Sequence, residues 1–148
     1  MSSTFVIEDN TDDAIRDIED AVDTGLKRAA LYVQKEIVRS MPVNPKVEAG
    51  EGGWKKSFGR RAKSSPGSPP MQQTGNLARN IISGKIGRLQ YGVGTRRGYS
   101  SVRYGFFLDQ GTSKMAARPW LGRVFTRKSK QISDQFYNGF DHAMRSKK

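Results

Sequence analysis

Histidine is the side chain most often used as a general acid or base near neutral pH, and this chain has one, His142. It lies close to Asp141, Arg145 and the two terminal lysines. The sequence has no G-x-x-x-x-G-K-[ST] loop, and the glycines of residues 92–98 lack the spacing of a dinucleotide-binding motif. We therefore expect His142 at the surface, and neither catalytic residues, nor a cofactor, nor enzymatic activity.

Carboxylates are concentrated near the N-terminus, where they could in principle hold Mg²⁺. On the expected helix they would be distributed around its circumference, whereas cation coordination needs oxygen ligands that converge in a loop. We therefore expect no metal site. The carboxylates up to Thr24 are Glu8, Asp9, Asp12, Asp13, Asp17, Glu19, Asp20 and Asp23.

The charge is divided unevenly along the chain. Residues 1–24 carry a net charge of −7. Because the whole chain carries +12, the remaining residues carry +19. Opposite charges at two ends of a small protein would orient head-to-tail contact between identical subunits. Alternatively, the acids simply favour the positive end of the first helix, each by a few tenths of a kcal/mol. Both interpretations are open.

A long segment, residues 42–75, contains five of the six prolines and is predicted to be a loop that is mobile over 46–66. Its cations alternate with Trp54 and Phe58, a composition that can follow a nucleic-acid backbone and stack on bases. Alternatively, the charges are only solvated and Trp54 docks on a neighbouring subunit. Candidate contacts with DNA or a partner are Lys55, Lys56, Arg60, Arg61 and Lys63.

The 148 residues predict one domain, 1–148, with a modest core. The sequence has no cysteine, which excludes disulfides and thiolate metal sites and suits a reducing cytoplasm. Neither a signal peptide nor a run of about 18 apolar residues is present, so we expect no membrane contact.

Apolar residues recur at helical spacing from Asp12 to Met41, after a candidate N-cap at Thr11 and before Pro42. Gly25 in the middle predicts a bend or break, so the acidic helical segment 1–24 would project as an arm. The apolar positions are Ile15, Ile18, Val22, Leu26, Ala29, Val33 and Ile37.

The C-terminal half predicts strands over 79–87 and 88–96, a further piece near 101–103, and a helix over 119–145. The fold class is therefore α+β, a small antiparallel sheet flanked by a long N-terminal and a long C-terminal helix, with a long basic Pro/Gly-rich loop. The apolar side of the last helix comprises Leu121, Phe125, Ile132, Phe136, Phe140 and Met144.

Two neighbouring motifs, Tyr104–Thr112 and Arg118–Leu121, predict a helical turn that Gly111 ends and a new helix that Pro119 begins. We expect Asp109 to form an ion pair with Arg118 across this connection. The apolar residues expected to form the core here are Tyr104, Phe107, Leu108, Trp120, Leu121 and Phe125.

Two further motifs precede this pair along the chain, so that four motifs follow one another within residues 28 to 130. The two further motifs are Met41–Pro42–Val43 and the stretch from Pro69–Pro70 to Thr74–Gly75–Asn76–Leu77. In that order the four motifs resemble the neck and tail-completion proteins of long-tailed double-stranded DNA bacteriophages, including minor tail protein Z-like and head–tail joining components. The chain differs in having Asp109 where Glu is commoner and in a basic insertion over 54–63.

The resemblance implies a structural virion protein that forms a hexameric ring at the head–tail junction or tail end. Its partners would be copies of itself and adjoining connector, tail-terminator or tail-tube proteins, with assembly in the host bacterial cytoplasm. A small basic nucleic-acid-binding protein is the alternative. The residues that carry the implied interaction motif are Thr74, Gly75, Leu77, Tyr104, Leu108, Asp109, Gly111, Thr112, Arg118, Pro119, Trp120 and Leu121.

Overall fold

The computed structural model describes residues 10–42, 66–70, 76–96 and 100–147. Long helices near both ends of this part of the chain and an antiparallel pair of strands between them confirm the predicted α+β fold. The elements in chain order are α1 (Thr11–Ser40), α2 (Asn76–Arg79), β1 (Ile81–Gly87), β2 (Gln90–Thr95), α3 (Ser100–Gln110), α4 (Leu121–Arg127) and α5 (Ser129–Arg145).

The first helix, α1, runs unbroken through Gly25, so of the predicted bend or break at this residue the break is wrong. Gly25 is buried where α1 crosses α5, and a Cβ placed on it would lie 2.8 Å from the backbone oxygen of Phe136. A Cβ on Gly139 would lie 2.9 Å from the Cα of Gly25. Two glycines thus let the helix backbones approach closely.

The acidic half of α1 packs on the rest of the molecule, so the prediction of a projecting arm is also wrong for residues 11–24, while residues 1–9 lie outside the described residues. Lys147 Nζ of the C-terminal segment lies 2.7 Å from a carboxylate oxygen of Asp17 and 2.8 Å from one of Asp20. Arg88 in the hairpin turn pairs with Glu19. The apolar face predicted for this half is only partly covered, because Ile15 and Ile18 remain about half exposed.

The core lies between the C-terminal half of α1, the first residue of β1 and the beginning of α4. Burying each large aliphatic or aromatic side chain contributes roughly 1.5–3 kcal/mol, so this cluster supplies much of the stabilisation of the fold. Its buried members are Val33, Ile37, Met41, Ile81, Trp120 and Val124.

Strands β1 and β2 form a hairpin whose register pairs Ile81 with Thr95 and Gly84 with Gly92. Gln34 of α1 fixes this hairpin to the helix, since its Nε2 donates to the Ile81 carbonyl at 2.9 Å and its Oε1 accepts from Ser83 Oγ at 2.6 Å. The third strand expected near 101–103 is wrong, because these residues belong to α3.

The predicted C-terminal helix is divided into α4 and α5 at Lys128, whose ψ of 14° departs from helical geometry. The Lys128 amide still donates to the Val124 carbonyl, and its own carbonyl accepts from Ile132 N, both at 2.9 Å. Pro119 is not the first helical residue as predicted, since α4 begins at Leu121 with Trp120 at the N-cap position.

A polar cluster of Asp23, Lys85 and Tyr91 joins α1 to the hairpin. Lys85 Nζ lies 2.5 Å from Asp23 Oδ1, and the Tyr91 hydroxyl donates to Asp23 Oδ2 at 2.9 Å. The hydrogen bonds from Lys85 and Tyr91 lower the pKa of the Asp23 carboxyl below its ordinary value of 3.8. The hydrogen bond to Asp23 raises the pKa of Lys85, whereas desolvation is the main cause of the raised pKa of Tyr91.

This cluster predicts an acid-dependent contribution to stability. Because the folded pKa of Asp23 is depressed, its contribution is present above pH 3.8 and is lost as the pH falls through the folded pKa. We expect Asp23→Asn to lower the melting temperature at about pH 7 and to lower it less at about pH 3. Thermal melts of both proteins across this range test the expectation, and a difference that stays constant with pH would contradict it.

Candidate interaction site at the junction of α3 and α4

The connection between α3 and α4 begins at Gly111, which ends α3 in a left-handed conformation, as the sequence predicts. Its φ is 79°, and its amide donates to the Phe107 carbonyl at 2.8 Å. A Cβ on Gly111 would lie 2.8 Å from the amide nitrogen of Ala117 and 2.9 Å from the carbonyl oxygen of Met115. Any other residue here meets both backbone strain and a collision with the returning chain.

A small loop follows, in which Thr112 and Met115 exchange backbone hydrogen bonds of 2.8 and 3.1 Å. Lys114 N lies 3.3 Å from the Thr112 hydroxyl oxygen, which accepts its hydrogen bond. The chain then returns alongside α3, where Arg118 N donates to the Leu108 carbonyl at 2.7 Å. These contacts place the second motif directly against the first.

The carboxylate of Asp109 joins the two motifs, although not by the ion pair that the sequence suggested. Its Oδ1 accepts from the backbone N–H of Trp120 at 3.1 Å, and its Oδ2 accepts from Nε2 of the Gln110 side chain at 3.0 Å. The ion pairs of the described residues do not include one between Asp109 and Arg118, so that prediction is wrong. The physical reason is that the amide at the start of α4 needs an acceptor, which Asp109 provides.

Trp120 and Leu108 are buried, with 1% and 0% of their surface exposed, as predicted for the core. The indole N–H of Trp120 donates to the Gly105 carbonyl at 3.3 Å. A Cβ on Gly105 would lie 3.3 Å from both Leu77 Cδ1 and Thr95 Cγ2, so α3 lies close to the hairpin and α2. Gly105 was not among the predicted site residues, although a glycine within an apolar helical turn was the available signal.

The core predicted around this junction is wrong for two aromatic residues. Phe107 and Phe125 are 43% and 46% exposed, while Leu121 is half-buried. Phe106 is 63% exposed, and its ring packs edge-on against that of Phe107 with centroids 5.9 Å apart. The junction therefore presents an aromatic pair outward, which we call the Phe106–Phe107 patch.

Several predicted site residues cannot be placed at the junction. Thr74 and Gly75 lie outside the described residues, as do residues 46–65 of the stretch 46–66 that was predicted to be mobile. Of Tyr104, the structure describes the backbone within α3 but not the side chain. The cations proposed to contact DNA or a partner also lie outside the described residues: Lys55, Lys56, Arg60, Arg61 and Lys63.

Within residues 10–42, 66–70, 76–96 and 100–147, no group of three or more histidine, cysteine, aspartate or glutamate side chains could hold a metal ion. His142 is exposed on α5, as predicted. Among the helices described, none is sufficiently long and apolar to span a membrane.

The comparisons with known proteins add no relative. The chain matches no family model, no curated protein and no solved structure.

Proposed function

We propose that this chain is a structural virion protein that forms a ring at the head–tail junction or tail end of a long-tailed double-stranded DNA bacteriophage. It contributes to tail completion and head–tail joining and contacts its own copies and adjoining connector, tail-terminator or tail-tube proteins. Assembly takes place in the host bacterial cytoplasm. The ring is six-fold, in keeping with the proteins that the motifs resemble.

One observation carries the proposal: two of the four motifs on which the resemblance depends, Tyr104–Thr112 and Arg118–Leu121, form a single structural unit. Asp109 accepts from Trp120 N, Arg118 N donates to Leu108 O, and Gly111 has the positive φ that the connection requires. Residues of one motif thus form hydrogen bonds with residues of the other, so the conformation of each motif depends on the other. Such dependence supports treating the motifs as one signature.

The Phe106–Phe107 patch is the surface on this unit that best suits a contact with another subunit. Exposed aromatic pairs are enriched at the centres of protein interfaces and carry much of the binding energy there. Heterologous contacts between copies close into a ring when their rotation permits. A second copy of this chain is therefore the proposed occupant of the patch.

Native mass spectrometry of the purified chain, alone and with tail proteins, tests the ring directly. A hexamer under either condition is the expected result. A chain that stays monomeric at high concentration and with its tail partners would overturn the proposal.

A double variant tests the surface itself. We expect the double variant Phe106→Ser with Phe107→Ser to melt within a few degrees of the unmodified protein, because both side chains are exposed. The same variant should no longer assemble into the hexamer. The matched control is Tyr137→Ser, which removes from α5 an aromatic side chain as exposed as that of Phe106. This control should still assemble into the hexamer. Equal effects of the two changes would exclude the Phe106–Phe107 patch as the interface.

A further inference from the structure

A cleft of about 240 Å³ lies where the last turn of α1 meets α4. Trp120 and Val124, both members of the core, line it together with Pro69. The polar residues lining the cleft are Glu36, Arg39, Ser40, Arg123, Arg127 and Lys128. Four cations and one carboxylate therefore share one concave surface.

The single carboxylate of the cleft is occupied by two of these cations. Glu36 Oε1 lies 3.1 Å from Arg39 Nη1, and Glu36 Oε2 lies 3.5 Å from Lys128 Nζ. In the part of the chain that the structure describes, neither Arg123 nor Arg127 belongs to an ion pair. The cleft thus has a formal surplus of three positive charges.

The arrangement of the two remaining arginines is unfavourable without an anion. Arg123 and Arg127 are four residues apart on α4, one helical turn, where like charges destabilise a helix. Arg127 in the last turn is favourable to the helix dipole, but Arg123 near the start of α4 is not. Proximity to the negative end of the helix therefore explains only one of the two.

We propose that this α1–α4 cleft binds a phosphate group of a nucleic-acid backbone. Guanidinium groups match phosphate oxygens in geometry and form paired, charge-assisted hydrogen bonds with them. Arg123 and Arg127 would hold the phosphate, and Arg39 and Lys128 would add charge at the border of the cleft. Recognition of this kind is independent of base sequence.

An acidic segment of a second copy is the competing occupant, and the structure favours it less. The acidic half of α1 already has partners within its own chain, since Lys147 pairs with Asp17 and Asp20, and Arg88 pairs with Glu19. Asp23 is likewise paired with Lys85. Four of the eight carboxylates up to Thr24 are therefore already engaged within the chain, whereas a phosphate backbone is fully charged.

Fluorescence anisotropy with a labelled 20-base-pair DNA duplex (about two turns) tests the proposal over a range of salt concentrations. We expect the unmodified protein to bind, and Arg123→Gln with Arg127→Gln to weaken binding at least about tenfold near 0.1 M salt. Each phosphate contact contributes about 0.9 to the slope of log affinity against log salt, so loss of the one phosphate held by the two arginines should lower that slope by about 1.

The matched control is Lys35→Gln with Lys114→Gln, which removes the same charge from exposed positions outside the cleft. It should weaken binding much less, and both double variants should melt within a few degrees of the unmodified protein. Equal weakening by the two double variants, or no DNA binding by the unmodified protein, would overturn the proposal.

Two competitors distinguish the sources of the anion. Inorganic phosphate, added at constant ionic strength, should displace the duplex only at concentrations far above those of a competing unlabelled duplex. Displacement by micromolar phosphate, or binding of an acidic peptide of residues 8–20 in preference to DNA, would overturn the nucleic-acid assignment. Native mass spectrometry tests the ring separately, so failure of either proposal leaves the other standing.

Discussion

Replacing Trp120 with alanine is expected to destabilise the protein by about 3–5 kcal/mol, enough to threaten folding of a domain of ordinary stability. The side chain is 1% exposed and packs in the core with Val124 and Ile81. Its removal would leave a cavity and would also remove the hydrogen bond to the Gly105 carbonyl. Thermal or urea denaturation measures the loss.

The control for this prediction is Tyr137→Ala, since Tyr137 is 61% exposed on α5. Its loss should change the free energy of unfolding by less than about 1 kcal/mol. If Trp120→Ala melted like the unmodified protein and failed only in assembly, Trp120 would be an anchor for a partner, and its place in the core would be wrong.

The second large effect is expected at the crossing of α1 and α5. Gly25→Leu should destabilise the protein by about 3 kcal/mol, because its Cβ alone would lie within 2.9 Å of the Phe136 ring and backbone oxygen. Relief would require the two helices to move apart. The loss should appear as a lower urea midpoint.

Gly122→Leu provides the opposite case on α4, because no atom lies within 4 Å of a Cβ placed on Gly122. Leucine favours the helix over glycine by roughly 0.8 kcal/mol, so this variant should be slightly more stable than the unmodified protein. Destabilisation of both variants by the same amount would show that close packing at Gly25 is not the cause.

The sequence predicted the two terminal helices and the hairpin because their apolar positions recur with the period of each element. It could not predict that Gly25 lies inside a continuous helix, since glycine indicates a weak helix former and does not reveal what lies opposite. Gly25 faces Phe136 and Gly139 of α5, more than a hundred residues away. Contacts with a distant partner, which a local pattern does not contain, determined the outcome.

The candidate site likewise contains features that the sequence could predict and features that it could not. Gly111 was predictable because a helix commonly ends in a left-handed residue, and the structure has this conformation there. The partner of Asp109 was not predictable, since Arg118 and the backbone N–H of Trp120 compete for the same carboxylate. Charge alone favoured Arg118, whereas the start of α4 required the acceptor. The Arg123 and Arg127 pair was overlooked because it is spread over one helical turn.

The packing of α1 against α5 also has a consequence for folding during synthesis on the ribosome, because α1 is synthesised long before α5. Arg28 of α1 donates to Gln135 of α5 across 107 residues of sequence. At the usual rate of roughly 5–20 residues per second, about 5–20 s separate the emergence of these two residues. Throughout that interval α1 is without its principal partner. Completion of the fold must await the last helix, and shortened chains ending before α5 would expose this surface to aggregation or chaperone binding.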